Sequence, residues 1–356
     1  VRLLELPAGK PPREWGRIHG ESFRGEIHAL ADIRTYLCTK VGGFAGRPQV
    51  LEAARAHLPV LQRYDEALYE ELVGIAEGAA IAPESIVIAN HYTDLRDLDP
   101  DPGKWQPAPI GDGCSVIYAE TVSGRVLAQT WDMHATAIPY VMVLAVGGAY
   151  FLTVTGCLGM CGMNDSRVAI AINNLFSTDA TLGVVWPAMV RRALRETTAQ
   201  AARDAVMKSP IGSGHHYFIA DRDWAFGLEA SGTKRRQIYV RDPNRDYEVA
   251  PRYFHTNHAL DKDIAAVSRV PDTSTTFDRL KALEQTRHTR YDGLDDVWRR
   301  LGSEDGWPRS VCTNMATPEA PHGAATCGAI AMNIDTGEVW AQQGFVHNVA
   351  PEKFHV

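Results

Sequence analysis

The sequence predicts an α+β fold in which antiparallel sheets are covered by helices. Three observations predict it. The first hundred residues carry helical periodicity, an Asp-, Pro- and Gly-rich stretch follows, and beyond it short β-prone runs dominate while helices return only in blocks. Elements segregated in this way pack as layers rather than as alternating strand–helix–strand units.

Each element has its own signal. A short amphipathic stretch covers residues 23–37. From Leu51, the apolar residues Leu51, Ala54, Leu58, Leu61, Leu68, Leu72 and Ile75 fall mostly three, four or seven apart, which is one helical face. Pro59 is expected to kink or split that run. Residues 97–112 have no apolar period and read as an exposed loop. Residues 116–120 and 126–130 flank Thr121-Val122-Ser123-Gly124, a hairpin signal. Residues 141–154 and 168–172 continue the sheet; the longest apolar stretch, 138–152, contains Pro139, Tyr140, Gly147 and Gly148 and reads as buried strand. Residues 186–207 are expected as one helix, with Pro187 in its first turn. Strands follow at 217–219, 225–229 and 237–240, short helices at 277–286 and 294–301, and a terminal hairpin at 329–334 and 339–342 across Asp335-Thr336-Gly337. There is no internal repeat and no low-complexity tract.

Composition narrows the function. The chain has 356 residues, 36 Lys+Arg against 43 Asp+Glu, and 45% hydrophobic residues. That is ordinary for a globular protein and argues against a disordered regulator. A net charge of −7 offers no global attraction for phosphates, so no nucleic-acid partner is expected. No run of about 18 apolar residues occurs, so no membrane span is expected either. Residues 1–17 lack an apolar core behind a basic start, so no secretory signal is expected there, and a segment removed before Val1 stays open. Six cysteines are too few for a disulfide scaffold, which makes a reducing, cytoplasmic setting the expectation.

The most informative stretch is Gly111-Asp112-Gly113-Cys114-Ser115, where the loop meets the first strand. Glycine on either side of Asp112 permits close approach to a peptide carbonyl. A thiol placed there can attack the carbonyl before it and cut the chain; a small packing residue at a strand start is the competing reading. If the turn is 121–124, Glu120 pairs with Arg125, and Cys114 falls opposite Trp131 and next to Asp132. A carboxylate eighteen residues on is thus delivered to the thiol.

These residues resemble the cysteine N-terminal-nucleophile hydrolases, most closely the acyl-coenzyme A:6-aminopenicillanate acyltransferases and more distantly the choloylglycine hydrolases and acid ceramidase. The resemblance rests on Asp112-Gly113-Cys114-Ser115 with Gln129-Thr130-Trp131-Asp132, on Gly162-Met163-Asn164-Asp165 leading to Asn173-Asn174-Leu175, on Phe254-His255-Thr256-Asn257-His258, and on residues 217–221 with 225–231, a strand pair ending in Glu229. It spans roughly residues 70–345. It implies a four-layer αββα sandwich with a helical N-terminal segment. It also implies self-cleavage between Gly113 and Cys114, giving chains 1–113 and 114–356 that stay together as one globular unit.

The chemistry then follows from the residue types. The freed Cys114 α-amine has a reference pKa of about 7.7–8.0 and the thiol about 8.5, so the amine can take the thiol proton and return it to a leaving group. By the resemblance, Asp132 orients the amine, Asn257 donates its side-chain amide to the oxyanion, and Asn174, or its neighbour Asn173, donates nearby. Trp131, Asn173, Phe176 and Glu229 are candidate substrate-binding residues, with Trp186 a further aromatic; core packing is the competing reading for the aromatics. Two departures stand out. Gln129 occupies the place of an Arg in choloylglycine hydrolases, and a second family Arg falls near Thr276, so Arg279 is expected as an ordinary exposed helix charge.

No cofactor or metal is expected. His255 and His258, His215-His216 and His134 lack a zinc spacing, and Cys157 and Cys161 are separated by three residues instead of two. The expected activity is hydrolysis of a linear amide through a Cys114 thioester. Acyl transfer from a coenzyme A thioester or amide to an amine is the alternative, and an unprocessed, non-catalytic ligand-binding homologue is the second. Homo-oligomerisation stays open.

Overall fold

The computed structural model describes residues 1–101, 113–248 and 250–356. Most of the loop expected at 97–112 lies outside them. Its first residue, Asp97, is instead the buried end of a helix, held by Arg96 at 2.8 Å.

The chain opens with β1 (Arg2–Glu5), then α1 (Pro12–Ser22), α2 (Arg24–Val41), α3 (Arg47–Tyr64), α4 (Glu66–Ala79) and α5 (Pro83–Asp97). Strand β1 departs from the all-helical expectation, because four residues are too few to set a period; they pair in parallel with β4 (Val141–Val146). Pro59 stays inside α3, and the break falls at Asp65, whose Oδ1 accepts the Leu68 N–H at 3.0 Å and caps α4.

The hairpin of β2 (Gly113–Thr121) and β3 (Gly124–His134) has the expected register, Glu120 against Arg125 and Cys114 against Trp131. The apolar run at 138–152 is more divided than expected. A 3-10 turn (Ala135–Tyr140) contains Pro139, and Gly147-Gly148, with φ of 59° and 76°, turns β4 back into β5 (Ala149–Val154). Next come β6 (Cys161–Asn164), β7 (Ala169–Asn174), α6 (Trp186–Ala193) and α7 (Ala199–Met207). The single helix expected at 186–207 is thus two, because Thr198 caps α7 by accepting the Ala201 N–H at 3.2 Å. Then come β8 (His215–Ala220), β9 (Ala225–Ala230), β10 (Arg235–Arg241), β11 (Arg252–His255), α8 (Lys262–Ala265), α9 (Thr276–Glu284), α10 (Leu294–Leu301), β12 (Ala324–Asn333), β13 (Glu338–Gln343) and β14 (Glu352–His355). Strand β14 extends the expected terminal hairpin.

Two sheets result, ordered β1-β4-β5-β6-β7-β8-β9-β10 and β11-β2-β3-β12-β13-β14. Period-two alternation splits β2 and β3 between two cores. Val116, Tyr118, Leu127 and Trp131 share a large core with the eight-stranded sheet and the helices beyond it. Ile117, Ala119, Val126 and Ala128 face Leu283 of α9 and Val297, Trp298 and Leu301 of α10. The order helices, sheet, sheet, helices is the αββα sandwich.

Candidate active site

Cys114 sits at the start of β2, 4% exposed, on the face turned towards the other sheet. Both sides of its backbone are held. Its N–H donates to Asn257 Oδ1 at 2.7 Å, and its carbonyl accepts from Arg279 Nη1 at 2.7 Å and Asn173 Nδ2 at 3.0 Å.

Arg279 overturns the expectation of an exposed charge. It is 1% exposed, and besides the Cys114 carbonyl it donates to Ser115 Oγ (3.1 Å), Asn257 Oδ1 (2.8 Å) and Thr275 Oγ1 (2.9 Å). Its guanidinium lies 3.9 Å from Asp132 Oδ2. The sequence held a signal for this. Thr276, Arg279 and Leu283 stand at i, i+3 and i+7, the one buried face of α9. A planar fork with fixed donors suits such convergent acceptors better than an ammonium would.

Asp132 lies across the hairpin from Gly113 and is 1% exposed. Its Oδ1 accepts from Thr326 Oγ1 at 2.8 Å, while Oδ2 takes no hydrogen bond. Burial pushes this carboxyl above the usual carboxylate range, against the pull of Arg279 and the Thr326 hydroxyl. Gly113 is wedged beside it: a Cβ there would stand 3.0 Å from Arg279 Nη2 and 3.1 Å from Asp132 Oδ2.

Asn257 follows β11 and is 9% exposed. Its backbone N–H donates to Thr276 Oγ1 (2.7 Å) and its Nδ2 to the Asn174 carbonyl (2.9 Å), which leaves one amide hydrogen for an incoming oxygen. Asn173 differs from the substrate-facing place expected for it. Both hydrogens of its Nδ2 point at protein carbonyls, Cys114 at 3.0 Å and His255 at 3.4 Å, and its Oδ1 meets His216 Nδ1 at 2.7 Å. Glu229 differs likewise. It is fully buried, its Oε1 meeting His255 Nε2 (2.8 Å) and the Leu260 N–H (2.7 Å), its Oε2 the Asp261 N–H (2.9 Å). Neither role was legible, because the cross-sheet partners are distant in sequence.

Gln129 bridges the sheets by accepting the Ile172 N–H at 2.7 Å, just before Asn173-Asn174. Trp131 and Trp186 are 4% and 8% exposed, so both pack in the core; Phe176, 8% exposed, lies under the Arg96 guanidinium, 4.4 Å from its ring centroid. Of the histidines weighed as metal ligands, His255 is engaged with Glu229, His216 with Asn173 and Tyr253, His215 with Asp94, and His134 with Thr136. His258 packs on Phe277, and burial pushes it down to about 4. Among the described residues, no three His, Cys, Asp or Glu side chains are grouped to hold a metal ion.

Residues 119–333, more than half of the chain, match the sequence profile of the acyl-coenzyme A:6-aminopenicillanic acid acyl-transferase family. The 40 kDa form of acyl-coenzyme A:6-aminopenicillanic-acid-acyltransferase from Emericella nidulans is 25% identical over 323 residues, covering 87% of this chain and 84% of its own. Among solved structures, a mutant of conjugated bile acid hydrolase from Clostridium perfringens aligns over 68% of this chain and 92% of its own, with 10% identity and a TM-score of 0.42. Penicillin V acylase from Agrobacterium tumefaciens aligns over 68% and 85%, with 12% identity and a TM-score of 0.34.

Proposed function

From the premise that this chain belongs to the acyl-coenzyme A:6-aminopenicillanic acid acyl-transferase family, we propose that it is a self-processing enzyme acting on linear amides, with Cys114 as nucleophile. The observation that carries the reading is the convergence of Asp132, Asn257 and Arg279 on the Gly113–Cys114 peptide, with the Cys114 nitrogen 2.7 Å from Asn257 Oδ1. This contact supports the reading in which Asn257 holds the nitrogen that becomes the mature α-amine.

In the precursor, Cys114 Sγ attacks the Gly113 carbonyl carbon. The C–N bond breaks, the nitrogen takes the thiol proton, and a thioester joins the two halves. Water then cleaves the C–S bond, releasing a Gly113 carboxylate and regenerating the Cys114 thiol beside the amine freed in the first step. Departure of Gly113 clears the space beside Asp132 Oδ2, which has no hydrogen bond of its own. The buried carboxylate can then orient the new amine. In turnover the amine takes the thiol proton, Sγ attacks the substrate carbonyl, and the remaining Asn257 Nδ2 hydrogen meets the oxyanion. One such donor is worth about 3–4 kcal/mol. The amine hands its proton to the leaving nitrogen, and water hydrolyses the thioester.

A second reading, transfer of the acyl group from a coenzyme A thioester to an amine, is favoured by the activity named for the Emericella relative. Both readings share the thioester and differ in what resolves it. Intact mass and N-terminal sequencing of wild type beside Cys114→Ala test the common part. Wild type is expected as two chains, the second starting at Cys114, and the variant as one, with activity lower by at least about 10⁴-fold. Active, homogeneous wild type that stays uncut overturns the proposal. Incubation with an acyl-coenzyme A, with and without 6-aminopenicillanic acid, separates the two readings: consumption only with the amine present argues for transfer.

A further inference from the structure

Behind the site lies a buried relay that the mechanism above does not use. Asn173 Oδ1 meets His216 Nδ1 at 2.7 Å, and His216 Nε2 meets Tyr253 Oη at 3.0 Å. The His216 ring stacks on His255 at 3.7 Å with 5° between the planes, and His255 pairs with Glu229. Asn173, His216, His255 and Tyr253 are all at most 7% exposed.

Counting hydrogens fixes the direction of the chain. Asn173 must donate through Nδ2, since both atoms facing it, the Cys114 and His255 carbonyl oxygens, only accept. Its Oδ1 is therefore an acceptor, and His216 carries its proton on Nδ1. His216 Nε2 then accepts from the Tyr253 hydroxyl. Burial and the neighbouring His255 push the His216 ring well below its usual range, in keeping with a neutral ring bearing a single N–H. Asn173 thus fixes the His216 tautomer, Tyr253 satisfies its other nitrogen, and the His216 N–H in turn holds the Asn173 oxygen while the amide pins the Cys114 carbonyl.

Glu229 acts on the other flank. Its two oxygens hold His255 and the N–H groups of Leu260 and Asp261, bracketing the segment that carries Asn257.

We propose that His216 and Tyr253 are positioning residues for the Cys114 chemistry: they lock the Asn173 amide and with it the attitude of the nucleophile. The proposal rests on the self-processing reading above. Without the His216 N–H, Asn173 Oδ1 is left a buried acceptor with no donor, and the amide loses the bond that holds it against the Cys114 carbonyl.

Self-cleavage of purified precursor is the assay, because the scissile bond belongs to the chain and its first-order rate contains no binding step. Precursor is prepared under denaturing conditions, refolded, and followed by intact mass. Tyr253→Phe keeps the stacked ring and removes only the hydroxyl; it is expected to slow cleavage about 3- to 10-fold with the thermal transition unchanged. His216→Phe keeps the stack and removes the N–H, for an expected loss of at least about 30-fold. His216→Asn, whose amide reaches the Nδ1 position, is expected to recover cleavage to within about 5-fold of wild type. A merely structural role predicts rates that follow stability, with no rescue by Asn. Wild-type rates in both Tyr253→Phe and His216→Phe overturn the inference alone, whereas a wild type that never cleaves removes this inference and the self-processing reading together.

Discussion

Around His91, where α5 packs against α3 and α6, three histidines and a carboxylate are buried together. Around Cys114, a comparable set is buried between the sheets. In the first cluster His57 Nδ1 meets the Gly183 carbonyl (2.7 Å) and His215 Nε2 meets Asp94 Oδ1 (2.8 Å), yet His57 Nε2, His91 Nε2, His215 Nδ1 and Asp94 Oδ2 take no hydrogen bond. In the second, among Asp132, Asn173, His216, Glu229, His255 and Asn257, Asp132 Oδ2 is the one buried side-chain atom without one, and it faces Gly113. Leaving a buried polar group unsatisfied costs about 1–3 kcal/mol. The helical cluster carries that cost in several places. At the site the same cost falls on Asp132 Oδ2, beside the bond proposed to break, and on Gln129 Nε2, whose side chain bridges the sheets. On this reading the two regions separate stability from chemistry, and substitutions in each should move only one of them.

The sharpest break in that comparison comes from Arg279→Met, which removes donors to Cys114, Ser115 and Asn257 at once. The expected loss in self-cleavage rate is about 10³-fold, at the upper end for a site donor, measured by mass on refolded precursor. Arg279→Lys is expected to recover only part of it, since one ammonium cannot reproduce the fork. Full recovery by Lys would reduce the role to charge alone. Asp132→Asn keeps the Thr326 contact and removes the charge. Its expected effect is about 100-fold on turnover of an N-acyl amide by the mature protein, read as kcat at saturating substrate. An unchanged kcat would assign amine orientation elsewhere.

The layered fold was legible because its causes are local. Helical period marks α2 to α4, a four-residue turn sets the register of β2 and β3, and Pro187 sits in the first turn of α6. Cys114 and Asp132 were legible for the same reason, since one hairpin brings them together. Arg279 was not, because its partner Cys114 lies 165 residues away and an Arg on a short helix is ordinarily solvated. Glu229 and Asn173 were found as residues but given the wrong surroundings. Strand alternation says which face a side chain takes, and it does not say that the other sheet, rather than a ligand, supplies its partners. Strand β1 was missed because pairing in parallel with β4 is a tertiary event.

Acid should act on both regions, since burial holds His216 and His258 near the site, like the histidines among the helices, below their usual range. Burial pushes His91 and His19 each down to about 3, and His57 is lowered too. A histidine depressed in the folded state favours folding in full above its unfolded pKa of about 6.5; that contribution is lost progressively as pH falls from there towards 3. Each such ring costs up to about 1.4 kcal/mol per pH unit across that window. Asp97, raised by burial to about 6, has the opposite sign, losing stability as pH rises from about 4 to 6, and offsets one of them. Thermal unfolding of His91→Gln between pH 7 and pH 4 should show a shallower fall than wild type by about 1 kcal/mol per unit, with self-cleavage at pH 7 within about 3-fold. Equal slopes would mean that the His91 cluster does not govern acid sensitivity.

The smallest effect tests the separation most directly. Pro59 lies in the interior of α3 on its exposed side, where it removes one backbone donor without breaking the helix. Pro59→Ala restores an N–H to the Arg55 carbonyl but returns conformational freedom to the unfolded chain, worth about 0.4–1 kcal/mol against it. Because that carbonyl faces water, the gain from the restored bond is modest as well. The two terms nearly cancel, so the net expectation is a change of no more than about 1 kcal/mol, seen as at most a small shift in the unfolding midpoint. Self-cleavage should be untouched, since α3 contributes no contact to Cys114, Asp132, Asn257 or Arg279 among the hydrogen bonds described above. A cleavage rate that moved with this exposed proline would mean that the helical layer sets the geometry of the thiol, and the division between the two regions would fail at its mildest challenge.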